Sequence, residues 1–460
     1  MRPKHFLFTL ILLIIGYAML VGSSGCGQIG MPTGGPRDSI PPQLNSASPA
    51  LKSTNVTGNK ITLSFNEYIE VKDPQTNVLV SPMPKKNPSV DYKLKTVTIK
   101  LKDSLLPNTT YSINFGNAIV DVNEGNVLKG FTYVFSTGNK IDSLTLSGKV
   151  IIAETGKADS TLLALLYRNA DDSLVQKRKP DYIARLKGDG SFEFVNLPAG
   201  NFKIYALKDG DGGYTYNSKK ELFAFSDSNI TVAEKTEPVT LYASALEKES
   251  KTPTTKPSAP AKKLILTAGS LLQDLLSPFQ LSFNNPLKTF DTAKLILTDT
   301  NYKPIPATAW LVDSSHTKFS LAVNWQQGKQ YRLVVDTSAI SDSANNHLAK
   351  QDTLRITTKT QEDYGNVVFR FSNLDLTKHP VLQFVQGDEI KNSYPVSAME
   401  WSNKFINPGE YDIRILYDDN NNGKWDPGNY SIKLQPEKVI SLSQKLAVKA
   451  NWDNERDIKL

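Results

Sequence analysis

Cysteine is almost missing: the 460 residues hold one, Cys26. That excludes an intrachain disulfide framework and a thiolate metal cluster. Histidine is nearly as scarce, with His5, His316, His347 and His379 far apart in sequence. No Gly-x-Ser-x-Gly elbow, no His-Glu-x-x-His pair and no phosphate-cradling glycine loop occurs. Carboxylates are abundant, yet nothing in their spacing marks a catalytic pair. The chain therefore reads as a non-enzyme; an enzyme whose site is not recognisable from sequence is the second alternative. Clustered positive charge is missing too. The net charge is +7, but Arg2 and Lys4 belong to the leader described below and the other basic residues are spread out. A spread excess of this kind argues for a solvated surface and against nucleic acid as a partner. Long amphipathic helices are absent as well; residues 270–276 are expected to form at most one or two helical turns.

The only long hydrophobic run lies at the start. A basic stretch, Arg2-Pro3-Lys4, precedes residues 6–21, which are apolar except for Thr9 and Gly16. Small residues follow (Gly22, Ser23, Ser24, Gly25) and then Cys26. This is the layout of an export signal over residues 1–25. The sole cysteine falls where a lipoprotein peptidase would cut and where acylation would occur, so Cys26 is read as the lipidation site and the membrane as a partner through its acyl chains. Residues 26–42, rich in Gly and Pro, are read as a flexible tether. Gln28-Ile29-Gly30 is not acidic, which leaves both the periplasmic and the cell-surface face of an outer membrane open.

The rest of the chain consists of short alternating runs, such as Lys60-Ile61-Thr62-Leu63-Ser64-Phe65 and Thr96-Val97-Thr98-Ile99-Lys100-Leu101, separated by Gly, Pro, Asn and Asp. Period-two alternation with frequent turn signals predicts an all-β chain of sandwiches. Residues 247–263 carry Pro, Lys and Thr without aromatics and predict an extended linker. The segments on either side look like copies. Leu197-Pro198-Ala199-Gly200 leads into an alternating strand and a Gly/Asp loop; Ile406-Asn407-Pro408-Gly409 does the same and ends in an Asn/Asp loop. Phe65-Asn66-Glu67 corresponds to Phe283-Asn284-Asn285, and the strand from Tyr111 to the strand from Tyr331. The expected order is module A (43–140), module B (141–246), the linker, module A′ (264–360) and module B′ (361–460).

Module A resembles the S-layer-type bacterial Ig-like domain. The likeness rests on Pro41-Pro42, Leu63-Ser64-Phe65-Asn66-Glu67, Leu106-Pro107-Asn108-Thr109-Thr110-Tyr111, the turn Asp121 to Asn126, and Phe135-Ser136-Thr137-Gly138. A′ is a divergent second copy, with Gly328-Lys329-Gln330-Tyr331 in place of the Pro-Asn-Thr-Thr-Tyr turn. Module B, with Leu146-Ser147-Gly148-Lys149-Val150, Gly188-Asp189-Gly190-Ser191-Phe192-Glu193-Phe194 and Asn196 to Gly200, resembles the prealbumin-like sandwich of carboxypeptidase regulatory domains. The resemblance implies an Ig-like-domain lipoprotein of a Gram-negative outer membrane, acting as a structural, adhesion or interaction module with a protein or glycan partner in the envelope. A glycan- or peptide-binding surface lipoprotein is the alternative.

One loop carries chemistry. Residues 417–426 read Tyr-Asp-Asp-Asn-Asn-Asn-Gly-Lys-Trp-Asp and contain Asp-x-Asn-x-Asn-Gly. Hard cations need several oxygen ligands at close range, which alternate Asp and Asn side chains on a tight turn supply. Asp418, Asn420, Asn422, Asp426 and the Lys424 carbonyl are the candidate Ca²⁺ ligands. No cofactor is otherwise required. Asn429 stands where an EF-hand has its bidentate Glu, so the competing reading is a polar β-turn. The equivalent loop in B, Asp209-Gly210-Asp211-Gly212-Gly213, reads mostly as a turn. The five tryptophans are candidates for core positions or for a sugar-stacking platform.

Overall fold

The computed structural model describes residues 3–22, 37–168, 171–248, 263–306 and 309–460. Cys26, most of the tether and most of the linker lie outside the described residues. An apolar helix, Pro3–Gly22, occupies the leader, with Leu10 to Ile15 exposed. Among the described residues no helix is long and apolar enough to cross a membrane. Beyond the leader, the described residues form strands, turns, loops and short helical segments.

The chain divides into two compact units, residues 1–80 with 86–139, and residues 81–85 with 140–460. The first unit holds module A. Lys60–Phe65 pairs antiparallel with Leu44–Ser48 and with Thr96–Lys100, and Ser89–Lys93 completes that sheet. The facing sheet joins Thr110–Asn114 to Leu79–Ser81 and Thr132–Ser136. Alternation decides the faces: Ile61, Leu63 and Phe65 point inward with Val97 and Ile99 and meet Ile113, Tyr133 and Phe135 from the other sheet.

A′, in the second unit, repeats this plan. Phe279–Phe283 lies between Leu266–Ala268 and Lys318–Ala322, with Ala309–Val312 on the edge. Gln330–Val335 lies between Leu295–Thr298 and Asp352–Thr358 in the other sheet. Two paired details tie the copies together. The amide N–H of Leu106 donates to Tyr111 Oη at 2.8 Å, and that of Gln326 to Tyr331 Oη at 3.2 Å. Each tyrosine thus fixes the chain five residues upstream, as in a tyrosine corner. The loss of the Pro-Asn-Thr-Thr sequence in A′ leaves this contact intact. The expected helical turns over residues 270–276 do not form. Leu272–Gln273 is a short strand parallel to Asp352–Thr358, and the Gln273 amide donates to the carbonyls of Asp274 and Ser277. A buried amide with two backbone acceptors holds the segment extended.

B and B′ share one topology, strand for strand. In B, Leu144–Ile152 is antiparallel to Ser191–Leu197 and parallel to Val239–Ala243. In B′, Gly365–Ser372 is antiparallel to Glu400–Ile406 and parallel to Asp453–Lys459. The second sheet of each is built on its long strand, Gly200–Leu207 or Gly409–Tyr417, which pairs with three neighbours. Phe192, Phe194, Phe202, Ile204 and Ala206 form one buried face, as their alternation predicts. The equivalent face of B′ carries Phe369, Phe384, Ile413 and Ile415.

The long strand of B also buries its other face. Tyr205 and Leu207 are as buried as Ile204 and Ala206. Part of that cover comes from B′. The Tyr430 ring lies 5.1 Å from both Phe223 and Phe225 and 5.9 Å from Tyr205, and its hydroxyl donates to the Asp172 carbonyl at 2.6 Å. The Lys433 ammonium sits 3.1 Å from the Asp172 carboxylate, which Lys203 of B also engages. Val439 N–H donates to Ala153 O at 3.1 Å, and the Gln435 amide to Phe225 O at 3.1 Å. Gly156, at φ +65°, lies so close to this seam that a Cβ there would meet Val439 O and Ser441 N at 2.7 Å each. The serial arrangement A-B-linker-A′-B′ thus holds in sequence only: the fourth module docks directly on the second.

Candidate functional site: the 418–426 loop

The loop follows Gly409–Tyr417 and turns on Asn421 at φ +57° and Gly423 at φ +76°. Asp418 is fully buried beneath the turn. Its carboxylate accepts the N–H of Asn422 at 3.1 Å and of Gly423 at 2.6 Å. Asn422 Oδ1 accepts the Lys424 N–H at 2.7 Å. Asn420 and Asn422 donate their side-chain amides to Asp426 Oδ2 at 2.5 and 2.7 Å. The structure therefore brings four of the five candidate ligands into one hydrogen-bonded ring, with Lys424 beside it through its backbone. In this arrangement the two amides act as donors, which is the polar-turn reading.

A sixth group, Glu437, joins them from the segment ahead of Val439–Ser441. It is 6% exposed, and its Oε2 accepts the Asp426 N–H at 2.9 Å. Its carbonyl takes the Trp425 indole N–H at 2.8 Å. Burial raises the Glu437 pKa above the usual carboxylate range, and the charges of Asp418 and Asp426 push in the same direction. Sequence inspection misses Glu437 because it lies eleven residues beyond Asp426, outside any local motif. The loop of B shows the same device at another spacing. Asn217 donates its side chain to Asp211 at 2.7 Å and its N–H to Glu221 at 3.2 Å. There the Asp209 carboxyl is raised by burial and by its neighbour Asp211. Among the described residues no group of three or more His, Cys, Asp and Glu side chains is placed to hold a metal ion.

Four tryptophans are committed to packing or backbone contacts. Trp325 is buried and donates to Ser277 O at 3.1 Å, Trp310 lies edge-on to Phe290 at 5.1 Å, and Trp401 stacks on Phe369 at 6.0 Å. Trp425 is half-buried against Val381, Leu416 and Val439. Trp452 alone among the five is a large exposed ring, at 61%. His316, His347 and His379 are exposed at separate turns.

Comparison with known proteins agrees with the two Ig-like modules. Residues 38–137 and 253–358 match the model of the bacterial Ig-like domain. No curated protein matches the chain. Similar solved structures include the N-terminal part of the bacterial S-layer protein SbsC, at 15% identity over 42% of this chain and 44% of that one, with a TM-score of 0.17. The chain thus spans less than half the length of that structure. The Bacillus anthracis TIE protein is similar at 10% identity over 93% of this chain and 76% of that one, with a TM-score of 0.18. BcpA, the major pilin subunit of Bacillus cereus, is similar at 10% identity over 69% of this chain and 99% of that one, with a TM-score of 0.16. At such scores nothing is carried over from these structures. The all-β chain carries tandem regions that match the bacterial Ig-like domain, one in each half.

Proposed function

We propose that this protein is a structural or interaction module of the cell envelope, held on an outer membrane by acyl chains on Cys26. The observation that carries the reading is the tandem match to the bacterial Ig-like domain, in a chain whose second and fourth sandwiches are locked together. A seam of aromatic rings and backbone hydrogen bonds makes a stiff support, suited to presenting surfaces for contact. Multi-chain acylation gives stable membrane attachment where a single chain is marginal. With Cys26→Ser, the chain is expected to leave the membrane fraction, and the acyl mass on residue 26 to vanish from the mature protein's N-terminal peptide. Membrane attachment that survives this change, or an unmodified Cys26 in the wild type, contradicts the anchor.

Calcium at the 418–426 loop is the second reading, and Glu437 is the observation that favours it. Amide oxygens and nitrogens exchange places by a 180° flip. Flipped, Asn420 and Asn422 turn acceptors toward Asp426, and a cation between them takes the place of the lost hydrogen bonds. Asp418, Asn420, Asn422, Asp426 and the Lys424 carbonyl would hold it, with Glu437 alongside. Calorimetry checks this. At a Ca²⁺ concentration near 100 times Kd, a ligand that binds only the folded state adds about 2.7 kcal/mol. The expected result is a melting temperature that rises with Ca²⁺ in the wild type and does not move in Asp426→Ala. The shift shrinks on acidification through the raised Glu437 pKa, because carboxylates must be ionised to bind. Equal melting temperatures with Ca²⁺ and with chelator leave the loop a polar turn.

A further inference from the structure

A polar cleft of the second unit lies where A′ meets B′, and the exposed Trp452 is among its lining residues. Its volume is about 770 Å³, within the range of small-ligand sites. Tyr364 forms part of the wall, buried and fixed by the Leu275 N–H that donates to its hydroxyl at 2.7 Å. Gln361, Asn366, Lys404 and Asp453 supply amide, ammonium and carboxylate groups around it.

We infer that this cleft binds an uncharged oligosaccharide, with Trp452 as the stacking platform. Three observations point to a sugar. First, Trp452 is held ready: its carbonyl accepts the Asn366 N–H at 2.9 Å and the Asn454 side-chain amide at 3.2 Å, while its ring stays 61% exposed. The Lys449 ammonium lies 4.8 Å from the ring centroid, and the exposed ring offers the C–H face of a pyranose a surface to stack on. Second, the lining is amide-rich and both charge signs are present, with Lys404, Glu362 and Asp453 among the lining residues. Sugar hydroxyls both donate and accept, which suits such a set. A polyanion would call for a basic wall, and a peptide for apolar side-chain pockets. Third, the acceptor Asn366 Oδ1 is buried in this wall without a hydrogen-bond partner among the described residues, while its Nδ2 donates to Asp453 at 2.8 Å. Buried acceptors are normally satisfied, so the wall is one donor short.

This inference deepens the interaction reading by naming the partner's chemistry. It does not depend on Cys26, so its failure leaves the anchor experiment untouched. The test uses the full mature chain against an array of neutral oligosaccharides (β-glucan, mannan and chitin fragments), acidic polysaccharides and unstructured peptides, followed by titration of Trp fluorescence. The expected result is binding to at least one neutral oligosaccharide. Affinity should fall by roughly tenfold or more in Trp452→Ala, partly recover in Trp452→Tyr, and fall in Gln361→Ala, another lining residue. Tyr92→Ala, an exposed aromatic in module A, should change nothing. An unchanged melting temperature shows that Trp452→Ala is folded. The inference is overturned if no neutral oligosaccharide binds, if binding survives Trp452→Ala, or if acidic polymers or peptides are the ligands that Trp452→Ala loses.

Discussion

Replacing Tyr430 with Ala is expected to destabilise the second unit by about 3–5 kcal/mol, the range for removing a buried aromatic side chain. Tyr430 is 8% exposed and touches Tyr205, Tyr216, Phe223 and Phe225, all of module B. Its removal opens a cavity among four rings and leaves the Asp172 carbonyl without its 2.6 Å donor. The ring also supports Lys433, whose ammonium lies 3.6 Å from its centroid. Tyr430→Phe separates these effects. It keeps the packing and loses only the hydroxyl contacts, so its cost should be about 1–2 kcal/mol. Chemical denaturation followed by the fluorescence of the five tryptophans, all in the second unit, reads both variants. Equal costs would mean that ring packing is not what holds the seam.

Asp121→Ala is expected to have the largest effect in module A. Asp121 is 2% exposed, and its carboxylate accepts the backbone N–H groups of Glu124, Gly125 and Asn126 at 2.6, 3.0 and 2.7 Å. Burial pushes its pKa up, but these donors outweigh burial and the net shift is downward. Alanine leaves three N–H groups of this partly buried turn without their acceptor, at a cost of about 1–3 kcal/mol for each that water cannot reach. Hydrogen exchange checks it locally: protection over residues 119–128 should collapse first. Asp342 repeats the device in A′. The Asn346 side chain holds its carboxyl down at about 2 against the pull of burial, with help from the Asn285 amide at 2.7 Å. The sign follows from the downward shift. The stabilisation is present in full above the unfolded value, near 3.9, and is lost as the pH falls from there through about 2. A′ should therefore lose protection in acid over residues 340–347, and in Asp342→Asn this acid loss should be absent.

Much of this was legible in the residues, and the reason is periodicity. Phe192, Phe194, Phe202, Ile204 and Ala206 announce one inward face, and the paired turns at Asp121 and Asp342 announce the duplication of the Ig-like module. The seam between B and B′ was harder to read, because its partners lie more than two hundred residues apart. A signal did exist. Ile204-Tyr205-Ala206-Leu207 and Ile413-Arg414-Ile415-Leu416 break the two-residue alternation, and all eight side chains are buried. A strand that buries both faces needs cover on its second face, and alternation alone does not say what provides it. Glu437 escaped for a related reason. It reaches Asp426 from eleven residues along the chain, so no local motif contains it. The segment 270–276 misled because a Ser-Leu-Leu-Gln-Asp-Leu-Leu run fits a helical turn, whereas pairing with Asp352–Thr358 satisfies its backbone better.

The seam is the point on which the stiff support rests, and cutting the chain within residues 247–263 tests it most directly. A protease site placed there and cleaved under native conditions separates modules A and B from modules A′ and B′. The two fragments are predicted to elute together at the size of the intact chain, and to come apart in Gly156→Ala or Tyr430→Ala. Fragments of the wild type that separate as soon as the linker is cut would contradict the account.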